Sequence, residues 1–304
     1  MKKNGTKTLS KTEKLKLVKA KFNIKNIKPI NIESITYRHK LYLLSIFRVL
    51  TDENFDKILP LNSQNIFKVL SPSRDMDKNM LDCLYTSDLI CVDSISDIDS
   101  FQFDDKDCKG FNMEEVSWLV NISSDNDERL QLNVCFRLIY NDLTEFFPTS
   151  IEERNQIYYF IMNLALNEVE NYLQFKSIEL SYNFKVGSKT SMYIYQLLRY
   201  LSVTEIYSIV DRSVDEDYLR NSRLDIKSKE YGNTIAARLL EGGELAKRDE
   251  ISLIKLPRNE NLERSELSKI FYELIHNGLD EGFSECPLDY WNSNLKSCYV
   301  ADPK

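Results

Sequence analysis

Histidine, tryptophan, proline and glycine are all scarce in this 304-residue chain: His 2, Trp 2, Pro 7 and Gly 8. So few turn formers leave little material for a many-stranded fold and favour helices. No stretch approaches the roughly 18 apolar residues of a membrane span. The best runs, Leu41–Leu50 and Tyr158–Leu166, are broken by Arg48 and Asn163. No apolar stretch of the secretory kind lies near residue 1, so a cytoplasmic protein without membrane association is expected. Cys-x-x-Cys is absent, and Cys83, Cys91, Cys108, Cys135, Cys286 and Cys298 are spread too thinly for a disulfide scaffold. Cys135, in Leu132-Asn133-Val134-Cys135-Phe136, reads as a small hydrophobe, as in a reduced compartment.

The same scarcities thin out the usual chemistries. Gly187-Ser188-Lys189-Thr190 lacks the glycine-rich loop whose amides cradle phosphates, so it reads as a helix start. His276, Cys286 and Cys298 have no recognised zinc spacing and would need a fourth ligand. Asp97 with Asp99, and Asp125 with Asp127, begin like calcium loops but lack the glycine and terminal glutamate. Asp75, Asp77, Asp104, Asp105, Asp107 and Glu266 with Lys269 offer carboxylates for a divalent-metal nuclease, though acids this common usually solvate a surface. His276 would be flanked on a helix by Glu273 and Asp280, but a base without a placed nucleophile is not a mechanism. No cofactor, metal or catalytic residue is assigned.

Charge is what the chain has in quantity, and it is segregated. Residues 1–30 carry ten lysines against one acid, Glu13, while the whole chain has a formal charge of -7. Residues 75–128 hold fifteen acids against three bases, Lys78, Lys106 and Lys109. Such blocks bear on partners rather than on fold. Lys11, Lys14, Lys16, Lys19 and Lys21 are candidates for nucleic acid, an anionic surface or the acidic stretch of another copy. Leu15, Val18 and Phe22 in the same segment permit a short amphipathic helix. A second basic patch comprises Arg220, Arg223, Lys227 and Lys229.

Hydrophobic spacing predicts helices over 34–50, 51–59 and 73–84, the second capped by Thr51-Asp52-Glu53. Short strands follow at 89–93, 101–103 and 116–120. This order is similar to that of winged-helix domains, an architectural resemblance carried by no residue motif. From 121 on the chain reads as helical. One helix, headed by Ser123 or Ser124, would bury Leu130, Val134, Phe136 and Leu138. The longest opens at Thr149 or Ser150 with the stripe Ile157, Phe160, Ile161, Leu164, Ala165 and Val169. The expected fold is therefore mainly α: a basic tail (1–30), a winged-helix-like domain with a few short strands (31–120) and an all-α helical bundle (121–304).

A winged helix with acids at 75, 77, 82, 93, 97, 99, 104, 105 and 107 would repel a duplex. Protein partners fit that surface better. Tyr193, Tyr200 and Tyr207, at sevenfold spacing, are candidate interface residues for a helix–helix or homo-oligomer contact. The AT-rich composition suits a bacterial or mobile-element source. The leading expectation is a non-enzymatic bacterial adaptor or regulatory subunit in a larger assembly, such as one in antiviral (phage) defence. Alternatives are a nucleic-acid-binding protein using the lysine tail, and a metal-dependent nuclease.

Overall fold

The computed structural model describes residues 9–64, 66–124, 127–180, 185–222 and 231–295, with the side chains of 216–222, 231–233 and 294 outside the description. The described chain is mainly helical with a few short strands. It divides into two compact units, Met1–Leu70 with Arg74–Phe146, and Ser71–Ser73 with Phe147–Lys304.

The first unit opens with α1 (Lys11–Lys21). Its start is fixed reciprocally: Ser10 Oγ accepts the Glu13 amide, and the Glu13 carboxylate accepts the Ser10 amide at 2.8 Å. Single turns at Ile24–Asn26 and Ile32–Ser34 follow, each begun by an asparagine whose Oδ1 accepts an amide two residues on. Between them β1 (Ile30–Asn31) forms. Then α2 (Tyr37–Leu50), capped by Thr36, buries Leu41, Leu43, Leu44, Ile46, Phe47 and Leu50. Apolar on most sides, it is the central helix of this unit.

The expected helix at 51–59 is a loop instead. Thr51 Oγ1 turns back to Phe47 O, Asp52 Oδ1 accepts the Asp56 amide, and Phe55 takes a positive φ of 56°. The acids that read as a cap make a turn, because too few residues precede Pro60 to sustain a helix. α3 (Arg74–Thr86) then buries Met76, Met80, Leu81 and Leu84, the expected face.

Among the described residues six strands make three separate pairs. β2 (Ile90–Val92) is antiparallel to β5 (Trp118–Val120), β3 (Phe101–Phe103) to β4 (Cys108–Phe111), and β1 is parallel to β6 (Ile122–Ser123). The expected winged-helix order at 31–120 is not confirmed: among the described residues that span holds two α-helices, α2 and α3, and two separate strand pairs, β2–β5 and β3–β4. α4 (Leu132–Glu145) packs on α2 with Leu132, Cys135, Ile139 and Leu143 inward. Of the expected face Leu130, Val134, Phe136 and Leu138 none is buried, Leu138 being 38% exposed. Residues 134, 136 and 138 alternate at period two, while 132, 135, 139 and 143 share one side of a helix, which also begins later than Ser123 or Ser124.

The second unit is a bundle of α5 (Ile151–Glu179), α6 (Ser188–Leu197), α7 (Val203–Ser222) and α8 (Tyr231–Lys247). Ser150 and Glu153 form the capping box of α5, and every residue of its expected stripe is buried. Near the end of the described chain, α9 (Glu266–Lys269) runs into a π-helical turn, Ile270–Ile275. Gly242 and Gly243 sit inside α8, where glycine costs about 1 kcal/mol relative to alanine. Packing explains them: a Cβ on Gly242 would lie 2.8 Å from Ile209 Cγ2, and one on Gly243 2.0 Å from Leu197 Cδ2. The pair lets α8 approach both α7 and α6 closely. Since Leu197 is fully buried, Gly243→Ala is expected to destabilise the chain by about 1–3 kcal/mol, read by urea unfolding, despite its better helix propensity. A gain in stability would refute this packing account.

Candidate functional site

The lysine-rich helix and the acidic stretch meet within one unit. Val18 is fully buried, and Phe22 sits 5.5 Å from the rings of both Phe101 and Phe111. Lys21 Nζ donates to the carbonyls of Cys108 (2.7 Å) and Lys109 (3.3 Å), and Lys14 Nζ lies 5.0 Å from the centre of the Phe103 ring. Lys11, Lys16 and Lys19 remain exposed. At the hairpin tip Asp104 is held by Lys109 at 2.9 Å and by two backbone amides. These bonds, Lys109 first, bring its pKa down to about 2.

Beside this contact lies an acidic hollow of about 350 Å³, lined by Pro60, Asn62, Ser63, Asp97, Asp99 and Glu115. Glu114, next to it, is neutralised by Arg74 (2.8 Å) and Lys78 (3.1 Å). Asp97, Asp99 and Glu115 have no ion-pair partner among the described residues. Asp97 instead closes its own turn, its Oδ1 accepting the Asp99 amide at 3.1 Å. Close in sequence to the lining are two exposed apolar side chains, Phe67 (88% exposed) and Ile95 (72%).

The tyrosines are not gathered into one stripe. α6 ends at Leu197 and α7 begins at Val203, so the sevenfold spacing crosses a turn. Tyr193 lies under Lys189 and Tyr200 under Lys247, at 5.8 and 5.3 Å. Tyr207 is 1% exposed, stacked on Tyr172 at 3.7 Å, with its hydroxyl donating to Glu168 O at 3.4 Å. In the second basic patch, Arg223, Lys227 and Lys229 lie outside the described residues. Arg220 belongs to α7 by its backbone, and its side chain is likewise outside the description.

Around His276 the carboxylates serve arginines. Glu273 pairs with Arg264, and Asp280 with Arg258 (3.2 Å) and Arg264 (3.1 Å). Arg258 also reaches the buried Glu168 at 2.8 Å and lies over the Phe283 ring. Burial, the largest influence, raises the Glu168 pKa against the opposing pull of Arg258. This is a buried ionic brace from α5 to the 258–280 segment. Among the described residues no group of three or more His, Cys, Asp or Glu side chains could hold a metal ion.

One constellation escaped the sequence reading. Cys83 Sγ, on α3, lies 3.2 Å from His39 Nε2, on α2. Thr36 Oγ1 is 2.9 Å from His39 Nδ1, Ser87 Oγ 3.3 Å from Nε2, and an Arg38 guanidinium nitrogen 3.9 Å from the sulfur. Burial first, then the Arg38 charge, lower the His39 pKa from its ordinary 6.5. The ring is therefore neutral at pH 7 and able to accept a proton. No spacing announces this pair; only the α2–α3 packing creates it. Set against known protein families, curated proteins and solved structures, the chain matches none.

Burial alone lowers His276 to about 4. The unfolded chain takes up this proton near the ordinary 6.5, and the folded chain only near 4. Stability from the neutral ring is thus complete above pH 6.5 and lost as pH falls through about 4. His276→Gln is expected to flatten the acid limb of the unfolding free energy, read from urea titrations, by an amount on the order of 3 kcal/mol. An unchanged limb would contradict this assignment.

Proposed function

We propose that this chain is an adaptor or regulatory subunit that works by protein–protein contact, and that the acidic hollow of its first unit receives a basic segment of a partner protein. The observation carrying this reading is the set Asp97, Asp99 and Glu115, without cations of their own and lining a concavity whose neighbouring loops expose Phe67 and Ile95. A lysine or arginine side chain would supply the missing charge. Phe67, exposed four residues after Ser63 of the lining, offers an aromatic ring on which an arginine of the same segment could stack. The same acids repel phosphates, which weighs against a nucleic-acid duplex at this face.

A second reading has its own support. Lys11, Lys16 and Lys19 stay exposed on α1 and could meet a phosphate backbone, although Lys14 and Lys21 are engaged with the hairpin. Fluorescence anisotropy on the full chain separates the two. An arginine- and lysine-rich peptide is expected to bind, and Asp97→Asn with Asp99→Asn to weaken it about tenfold, equivalent to about 1.4 kcal/mol. Phe67→Ala should weaken it as well. Equal peptide affinity for all these proteins would overturn the adaptor reading. Oligonucleotide binding that is lost with Lys16→Gln and Lys19→Gln would install the second.

A further inference from the structure

Five cysteines lie among the described residues, and one differs from the rest. Cys91, Cys108, Cys135 and Cys286 are at most 8% exposed. Burial pushes all four thiols up, Cys91 to about 11 and Cys135 to about 12. They remain protonated and inert at neutral pH. Cys83 is only half-buried and carries an imidazole nitrogen at 3.2 Å and a guanidinium at 3.9 Å. The imidazole is anchored on its far side. Thr36 Oγ1 accepts the His39 backbone amide at 3.4 Å as the cap of α2 and lies 2.9 Å from Nδ1. With the Nδ1 proton donated to Thr36, Nε2 is left as the acceptor facing the sulfur. Nucleophile, base, orienting group and cation thus come from two packed helices, and the adaptor reading uses none of them.

We propose that Cys83 is a histidine-assisted thiol that exchanges with small disulfides, preferentially anionic ones, and becomes a mixed disulfide. His39 Nε2 takes the thiol proton as Cys83 Sγ attacks one sulfur of R–S–S–R. The R–S–S–R bond breaks as the Cys83–S–R bond forms, and the departing thiolate takes the proton back from His39 and leaves as R–SH. Cys83 is oxidised and one R–S group reduced, so the small disulfide is the only oxidant required. Exchange fits this place better than acyl transfer, since a disulfide needs only a line of approach to the sulfur and no oxyanion site. Arg38, exposed beside the sulfur, selects for a negatively charged R group.

The test uses the full chain and two probe disulfides at pH 7: the dianionic dithiobis(nitrobenzoate) and the neutral dithiodipyridine. With the anionic probe at less than one equivalent, peptide mapping is expected to find the adduct on Cys83 ahead of the four buried cysteines. Any adduct on Cys298 is counted separately. Cys83→Ser should abolish the corresponding fast phase, and His39→Gln should slow it at least tenfold with both probes. Arg38→Gln should slow the anionic probe alone. An adduct distributed among the other described cysteines, or His39→Gln reacting at the wild-type rate, would overturn the proposal. The mapping requires no variant, so it decides the matter even if a substitution impairs folding. Peptide binding at the acidic hollow is a separate readout, and either result leaves the other standing.

Discussion

The first unit depends on the docking of a lysine-rich helix onto an acidic hairpin of its own chain. Charge complementarity is the visible feature, yet it is not the main source of stability. An exposed ion pair contributes about 0.2–1 kcal/mol, whereas fully burying a valine side chain contributes about 1.5–3 kcal/mol. Val18, fully buried, and Phe22, against Phe101 and Phe111, therefore anchor α1, and the lysines set its orientation. Behind the helix Asn121, fully buried, donates to the carbonyls of Lys28 (3.0 Å) and Asp88 (2.8 Å). Arg129 binds Asn121 Oδ1 at 2.8 Å and the carbonyls of Ile24 and Ile27. Those bonds satisfy carbonyls of the turn before β1 and of the residue pair before β2, which lie outside the strand ladders. Docking α1 also covers the hairpin, and Asp97, Asp99 and Glu115 are among the acids of this stretch with no ion-pair partner among the described residues.

In the second unit geometry is set by close approach and by buried charge. The Gly242–Gly243 pair removes two side chains so that α8 can lie against Ile209 and Leu197. The stacked rings of Tyr172 and Tyr207 join α5 to α7, and the Tyr172 hydroxyl donates to Asp211 at 2.6 Å. Glu168 with Arg258 and Asp280 fastens the irregular segment after α8 to α5. A buried pair of this kind adds little net stability over an apolar substitute. Removing one partner, however, strands the other charge and costs about 3–5 kcal/mol. Its value lies in fixing which surface the 258–280 segment covers.

Long periodic elements were legible in the sequence, and α5 is the clearest case. Ser150 with Glu153 marked its start, and Ile157, Phe160, Ile161, Leu164, Ala165 and Val169 all proved buried. The face of α3 and the strands around 90–92, 101–103 and 118–120 were legible for the same reason, a run of apolar residues at one period. Local signals with two readings misled. Thr51-Asp52-Glu53 suits a cap or a turn, and tertiary pairing of Ile58 with Trp118 selected the turn. The acids after Ser123 drew the start of α4 too early, although Leu132, Cys135, Ile139 and Leu143 carry the true helical spacing. Contacts across the sequence left no trace. Cys83 and His39 stand 44 residues apart, and Lys21 and Cys108 stand 87 apart. The glycine pair in α8 went unread in the sequence, and only the structure shows it as a site of close helix packing.

That the basic helix is a built part of the first unit, rather than a free arm, is the claim on which the uncovered acidic hollow rests. Hydrogen exchange of the full chain tests it most directly, because the amides of α1 have no protection unless the helix is formed and docked. In the docked helix the Phe22 amide donates to Val18 O at 2.9 Å. The expected result is exchange at residues 15–22 slowed by about a hundredfold or more relative to an unstructured peptide, with protection lost in Val18→Asp. Exchange at unstructured rates in the wild-type chain would contradict the docking, and with it the assignment of the hollow as the part of the acidic face left for a partner.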